Sequence, residues 1–302
     1  MSDAIVVRSV GYRAGRDFSI RDLAMTVPTG SVYGFLGPNG SGKTTTIRLL
    51  LGMLAAQEGT ISVLGHDVPR GVHHALARTG YVPERLHLYP TLTVEETVRY
   101  HAAFYPDWDA KRAETLRREF ALRAEQPVER LSKGETGKLM MLLALSHNPD
   151  LLVLDEPTDG LDPVVRRDVL AALLEYVSAR NATVLISSHL VHEQERICDH
   201  VGVMDHGRLV AELPMASFRG GMKRLRVARG TGANGELPPF TLLSRGTTAG
   251  REEEWVVRGW HPGMREWFGS ADTELREVID LDLEESFVEL LRSARQPLLE
   301  TA

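Results

Sequence analysis

Residues 37–45 read GPNGSGKTT, and no other stretch constrains the chain as strongly. It matches in full the pattern of glycine, four variable residues, glycine, lysine and then serine or threonine. Such a loop curls tightly and brings successive backbone N–H groups within reach of phosphate oxygens. Gly37, Gly40 and Gly42 permit the curl. Lys43 is placed to reach β- and γ-phosphates, and the Thr44 hydroxyl to meet Mg²⁺. Pro38, Asn39, Ser41 and Thr45 complete the set of candidate nucleotide-binding residues in the loop. The motif works only between a strand and a helix. Here the apolar run SVYGFLG precedes it, and TTTIRLLLGML follows with helical spacing. An α/β fold around a parallel sheet is therefore expected.

A second group of residues supplies what a phosphate loop lacks. LLVLD, residues 151–155, is a continuous apolar run ending in an acid, the pattern of a central parallel strand covered on both faces. Ligand groups in α/β sheets stand at the carboxyl ends of such strands. Asp155 can hold Mg²⁺ through water, and Glu156 can take the proton of a water attacking the γ-phosphate. ATVLISSH is another buried strand, and it brings His189 to the same rim, where its imidazole can bond the γ-phosphate. LSKGETGK, residues 131–138, looks like half of a further phosphate site. Ser132 and Gly134 open a helix whose free N–H groups and dipole favour an anion. With a complete phosphate loop already present, this half-site needs a phosphate from elsewhere.

The remaining chain sorts into three parts. AIVVRSVGY and FSIRDLAMTV read as strands, as do TISVLG and TGYVPE. Three helices are expected in the middle, over LTVEETVRYHAAFY, DAKRAETLRREFALRA and SKGETGKLMMLLALSHN. Thr93 and Glu96 stand at capping-box spacing in the first. PVVRRDVLAALLEYVSAR is a long amphipathic helix, and VGVMDHGRLVAE reads as a hairpin around Asp205, His206 and Gly207. Near residue 216 the composition shifts to the Gly- and Arg-rich FRGGMKRLRVARGTGANGELPP. Beyond it, KRLRVA and EWVVRGW read as strands and LEESFVELLRSA as a helix of a separate small domain.

Composition excludes several classes. A net charge of −6 argues against a duplex nucleic-acid binder, which usually carries a basic domain. One cysteine, Cys198, allows no internal disulfide and fits a reducing cytosolic setting. The longest apolar stretch, LMMLLAL, falls far short of the roughly 20 residues that span a bilayer. The start, MSDAIVVRSV, has no basic region or apolar core of a signal peptide. No transmembrane segment and no nucleic-acid partner are expected.

Taken together, GPNGSGKTT, LSKGE, LLVLDEPTDGLD and SSH resemble, in order and spacing, the motifs of an ATP-binding cassette (ABC) transporter ATPase subunit. The resemblance covers residues 1 to about 215. It implies a P-loop NTPase fold with a recombinase-like core, an N-terminal antiparallel β subdomain and a helical ABC subdomain at about 86–148. These make an ATPase domain of residues 1–216, with 217–302 left as a small α+β accessory domain. It also implies ATP and Mg²⁺ as ligands, and that Tyr12 stacks on adenine. In this family two cassettes pack head to tail. The half-site of Ser132, Lys133, Gly134 and Glu135 would then serve the ATP on the other subunit's phosphate loop, with Ser132 and Gly134 acting in trans. Asp162, in DGLD, would run along the same interface.

Three motifs depart from the family pattern, at four positions. Lys133 and Glu135 replace the Gly and Gln of the LSGGQ signature, Glu84 replaces a Gln that offers oxygen to Mg²⁺ or the attacking water, and Asp159 replaces a Ser. Lys133 and Glu84, with DLDLEESFVELL near the C-terminus, resemble bacterial exporter subunits whose permease is a separate chain. The resemblance thus implies ATP hydrolysis that powers an exporter. The subunit would be peripheral on the cytoplasmic face of the membrane and most simply a homodimer. ERLHLYPTLTVEE, with Leu88, Tyr89 and Leu92, would carry the permease contact. A soluble ABC ATPase acting on ribosome or DNA is the alternative. Such proteins usually carry two cassettes or a long coiled-coil insertion, which this chain lacks. A regulator without turnover would not need Glu156. The cargo is not named by a chain that does not contact it.

Overall fold

The computed structural model describes residues 3–15, 18–85, 87–229, 238–247, 252–270 and 273–295. Leu86, where the helical part is expected to begin, and residues 230–237 of the Gly- and Arg-rich stretch lie outside the described residues.

The centre is a sheet in which Thr79–Val82, Leu151–Asp155, Thr183–Ser188, Val32–Leu36 and His200–Asp205 run parallel in that order. Arg208–Pro214 closes one edge as the antiparallel arm of the expected hairpin. His206 (φ 43°) and Gly207 (φ 77°) form its turn, both in the left-handed region that suits a two-residue hairpin connection. The central runs are apolar throughout because both faces are covered, and alternation decides which face each residue serves. Leu152 and Leu154 enter one apolar cluster, shared with the helical segments. Leu151 and Val153 enter the other, against the N-terminal sheet.

That N-terminal sheet is antiparallel, ordered Phe18–Pro28, Asp3–Ala14, Glu58–Val63, His66–Val68. On the opposite face lie the helices Val94–Ala102, Ala110–Glu119 and Lys133–Leu145. The first begins with the expected capping box: the Glu96 N–H donates to Thr93 Oγ1 at 3.2 Å, and the Thr93 N–H to Glu96 Oε2 at 2.9 Å. The second stops at Glu119, five residues before the end the sequence pattern suggests. There the Leu122 N–H donates to the Arg117 carbonyl and Ala121 turns left-handed (φ 54°), a helix stop that usually carries glycine. The third is buried from Leu139 to Leu145, as its apolar surround requires.

The remaining residues form a second antiparallel sheet, ordered Thr241–Thr247, Glu252–Arg258, Met222–Arg229, Thr273–Asp280, with the helix Leu283–Arg295. Its far face holds an aromatic cluster of Phe240, Trp255, Trp260 and Phe268. Its near face, through Met222, Leu243 and Val256, and the helix, through Leu283, Phe287 and Leu290, are continuous with the central core. The composition shift near 216 falls inside the helix Met215–Gly220, which belongs to the same cluster through Met215 and Phe218.

Candidate active site

Parallel register places the candidate residues on one rim. Leu36 pairs with Ser188, Asp155 with Ser187, and Val82 with Leu154. The segments that leave these strand ends are the phosphate loop, Glu156, His189 and Glu84. They therefore converge where an α/β sheet presents its ligand groups.

Lys43 and Glu156 meet at this rim. The Lys43 ammonium donates to the Gly37 carbonyl at 2.6 Å and lies 3.1 Å from Glu156 Oε1, both side chains nearly buried. Glu156 Oε2 accepts from His189 Nδ1 at 2.9 Å and from the His189 backbone N–H at 3.3 Å. A carboxylate only accepts, so the proton sits on Nδ1. Glu156 itself has φ 50°, a conformation that costs a non-glycine residue about 1–3 kcal/mol and tends to persist at functional sites. Its backbone N–H is anchored on Ser187 Oγ at 3.0 Å, and the same hydroxyl donates to Asp155 Oδ1 at 2.7 Å. Ser187 thus fixes the Asp155 carboxylate and the Glu156 backbone from one side.

The rim opens on a cavity of about 380 Å³ lined by Phe18, Asn39, Gly40, Gly42, Lys43, Thr44, Thr45, Glu84 and Glu156. Phe18 reaches this lining and Tyr12 does not. Tyr12 packs against the N-terminal apolar cluster, as Phe18 also does. Pro38 and Ser41 act through the backbone: the Ser41 N–H donates to the Pro38 carbonyl, which closes the loop.

The oxygen groups of this rim suit a hard cation. Asp155 is fully buried, and its Oδ2 has no hydrogen-bond partner of good geometry. Burial pushes its carboxyl above the usual range, against the opposing pull of hydrogen bonds from Ser187 and Thr44, while Glu84 and Glu156 raise it further by charge repulsion. A cation at Oδ2 would relieve that desolvation. Among the described residues no group of three His, Cys, Asp or Glu side chains converges as a metal cage. The hydroxyl of Thr44 with the carboxylates of Asp155 and Glu84 is a sparse oxygen set. It fits Mg²⁺, which keeps waters and takes phosphate oxygens rather than a full protein cage.

The half-site at 131–138 does not line this cavity. Ser132 caps the helix Lys133–Leu145 in a complete capping box: its Oγ accepts from the Glu135 N–H at 3.2 Å, and its own N–H donates to Glu135 Oε2 at 2.8 Å. Glu135 is thereby spent within the chain. The backbone amides of Lys133 and Gly134 have no partner among the described residues. Gly134 lies against Val165, whose Cγ2 would stand 3.2 Å from an added Cβ. Two of the departures from the family pattern meet each other: Lys133 Nζ lies 3.5 Å from Asp159 Oδ2, an exposed pair worth at most about 1 kcal/mol. Asp162 caps the helix Pro163–Arg180, accepting from the Val164 and Val165 N–H groups at 3.0 Å each.

Sequence reasoning missed Phe18, Ser187 and a second tie between the rim segments. Thr158 Oγ1 donates to Glu193 Oε2 at 2.8 Å, and Arg166 pairs with the other Glu193 oxygen. Thr158 follows Glu156 by two residues and Glu193 follows His189 by four, so this bond is a second rung beside the Glu156–His189 contact. No motif marks Glu193. Only its position on the short helix Val191–Glu195 reveals it.

Known proteins resemble this chain over the same region. A family profile described as ABC transporter matches residues 20–159. Nod factor export ATP-binding protein I of Burkholderia lata is 41% identical over 211 residues, covering 68% of this chain and 69% of its own. Bacitracin transport ATP-binding protein BcrA of Bacillus licheniformis is 35% identical over 216 residues, 71% of each chain. Among solved structures, an ATP-binding subunit of an ABC transporter superposes with a TM-score of 0.65 at 31% identity, over 72% of this chain and 92% of that one. A dimeric ATP-binding cassette bound to ADP and Pi, 20% identical, shares the fold with a TM-score of 0.63 over 70% of this chain and 98% of its own.

Proposed function

The chain belongs to the ABC transporter family of ATP-binding proteins, and from that premise we propose that it is the ATP-hydrolysing subunit of a membrane exporter with a separate permease chain. One observation carries the ATPase reading: at the rim of the parallel sheet one carboxylate, Glu156, has the phosphate-loop lysine 3.1 Å from one oxygen and a histidine 2.9 Å from the other. The export reading rests on relatives whose names state export of Nod factor and transport of bacitracin. These relatives favour transport over action on ribosome or DNA. ATP hydrolysis by the purified chain, and recovery of an integral-membrane permease with it from solubilised membranes, is the expected result. No hydrolysis with or without that membrane fraction would count against the proposal.

In the reaction, Lys43 exchanges its contact with Glu156 for the β- and γ-phosphates. Glu156 is then free to accept the proton of the attacking water, held in place through Oε2 by His189. The remaining ring nitrogen, Nε2, can donate to the γ-phosphate only when it too carries a proton. Mg²⁺, when bound, neutralises charge on the phosphate oxygens; Thr44 and Asp155 would hold it. Phe18, which lines the cavity, offers an aromatic surface for the adenine.

Glu84 distinguishes this site from the family pattern. Its charge reaches both Asp155 and Tyr81, whose hydroxyl is pushed up to about 12, by burial first and then by Asp155 and Glu84. A carboxylate is a better oxygen donor to a hard cation than an amide carbonyl. Glu84→Gln should therefore keep turnover within about tenfold yet raise the Mg²⁺ concentration for half-maximal activity. An unchanged Mg²⁺ titration, with and without permease, would show that this carboxylate does not meet the metal.

The half-site is proposed to complete a second subunit's ATP site, most simply in a homodimer. The amides of Lys133 and Gly134, which have no partner among the described residues, stand at a helix start where an opposing γ-phosphate would meet them.

The permease is proposed to dock on an exposed aromatic ladder. Tyr89 and Tyr100 meet edge-on at 5.4 Å, and Tyr100 and Phe104 at 5.2 Å, with Tyr89 58% and Phe104 64% exposed. Leu88, by contrast, packs against the core. Among the described residues no helix is long and apolar enough to cross a membrane, so membrane association would come through this contact. Tyr89→Ala with Phe104→Ala should leave stability within about 0.5 kcal/mol and basal ATPase intact while recovery with membranes falls. Full membrane recovery and normal transport would exclude the ladder as the docking surface.

A further inference from the structure

The phosphate loop rests on the turn that follows the strand His200–Asp205. An added Cβ on Gly37 would stand 2.4 Å from the Met204 carbonyl, and one on Gly42 2.8 Å from Met204 Cε. Beyond this contact, the Gly207 N–H donates to the Ser41 carbonyl at 2.8 Å, and the Gly207 carbonyl accepts from Arg21 at 3.0 Å. Between Met204 and Gly207 lies Asp205, whose side chain is only 4% exposed.

A buried carboxylate requires a partner. That partner comes from the far end of the chain. Arg295, the last residue of the helix Leu283–Arg295, donates from Nε to Asp205 Oδ2 at 2.7 Å and from Nη2 to Oδ1 at 2.9 Å. His206 Nε2 lies 3.9 Å from Oδ1 but is largely exposed, so Arg295 supplies the fork. Such a two-pronged, charge-assisted pair fixes direction as well as distance. The helix behind it is seated on the core by Leu283, Phe287 and Leu290.

We propose that Arg295 is a positioning residue for ATP: its grip on Asp205 holds the 204–207 turn against the phosphate loop, and through it the accessory region sets nucleotide affinity. The proposal rests on the phosphate loop being the ATP site. Without the clamp, Asp205 turns toward water, the turn follows, and the Gly207 N–H leaves Ser41. The loop loses its support while Glu156 and His189 keep theirs.

The test uses the full chain and measures Mg-ATP binding by calorimetry, turnover at saturating ATP, and the thermal midpoint. Small displacements of positioning groups have large effects, so Arg295→Met should weaken ATP binding about tenfold with turnover at saturation within about twofold. Arg295→Lys, which restores charge without the fork, should fall between. A purely structural pair would behave differently in the double variant Asp205→Asn with Arg295→Met, which removes the unpaired buried charge. The proposal expects that variant to regain its thermal midpoint but not its ATP affinity. Unchanged affinity in Arg295→Met, or affinity that returns with the midpoint in the double variant, would overturn it. ATP binding by the unaltered chain that is lost in Lys43→Ala checks the site itself. No binding by the unaltered chain would remove the site reading, and this proposal with it.

Discussion

Glu156→Gln is expected to leave ATP binding intact while turnover falls about 10²- to 10⁴-fold, the range for loss of a positioned base. The geometry makes the substitution selective. Gln keeps the oxygen that accepts from His189 Nδ1 and the backbone N–H that bonds Ser187. It removes the negative charge that faces Lys43 at 3.1 Å. Lys43 is then released to phosphate without first breaking an ion pair, so ATP binding should hold or strengthen. If closed cassettes separate only after hydrolysis, the variant should also persist as a dimer in ATP and Mg²⁺. Size-exclusion chromatography with and without nucleotide reads this directly. A monomer throughout, despite measured ATP binding, would remove the dimerisation step. Turnover within a few-fold of the unaltered chain would remove Glu156 as the base.

The parts of this site that the sequence discloses share one physical property. Each is fixed by local backbone chemistry. The loop from Gly37 to Thr45 carries its own curl, the capping box at Thr93 its own helix start, and the apolar run 151–155 its own burial. Those features survive in one dimension because they depend on near neighbours in the chain. What escapes the sequence depends on residues far apart. Phe18 reaches the cavity only because the antiparallel pairing of the first two strands brings Ala14 opposite it and places it over Gly42. Glu193 meets Thr158 across a parallel strand pair. Arg295 meets Asp205 across 90 positions. The helix stop at Glu119 was hidden for a different reason: Ala121 adopts the left-handed turn without the glycine that would announce it. Ser132 and Asp162 show a limit of another kind. Both stand in motifs associated with a partner's nucleotide, yet both side chains are already occupied in capping their own helices. Their proposed part in trans must run through the helix starts they organise as much as through their own oxygens.

That distinction shapes the experiment on the composite site. Ser132→Arg removes the cap and places a long side chain where the opposing γ-phosphate would lie. A lost N-cap weakens a helix by about 1 kcal/mol. The helix Lys133–Leu145 should survive this because Leu139 to Leu145 are buried in the core. Each such chain keeps a sound phosphate loop and should still bind ATP, yet a dimer of them should not turn over. Lys43→Ala has the opposite defect: its signature is sound and its own phosphate loop is not. Mixed in equal amounts with random pairing, about half of the dimers contain one chain of each kind. In those, both defects fall into one composite site. The other site joins the sound loop of the first chain to the sound signature of the second. If the two sites work independently, the mixture should recover about a quarter of normal activity from two inactive parents. If a sound site is slowed but not stopped by a defective neighbour, recovery should be lower but above the parents. Cassettes that hydrolyse alone cannot complement, because every chain in the mixture then carries its own defect. Activity at the parental level at every mixing ratio, with mixed dimers demonstrated by differential tagging, would count against Ser132 acting on the other chain's ATP.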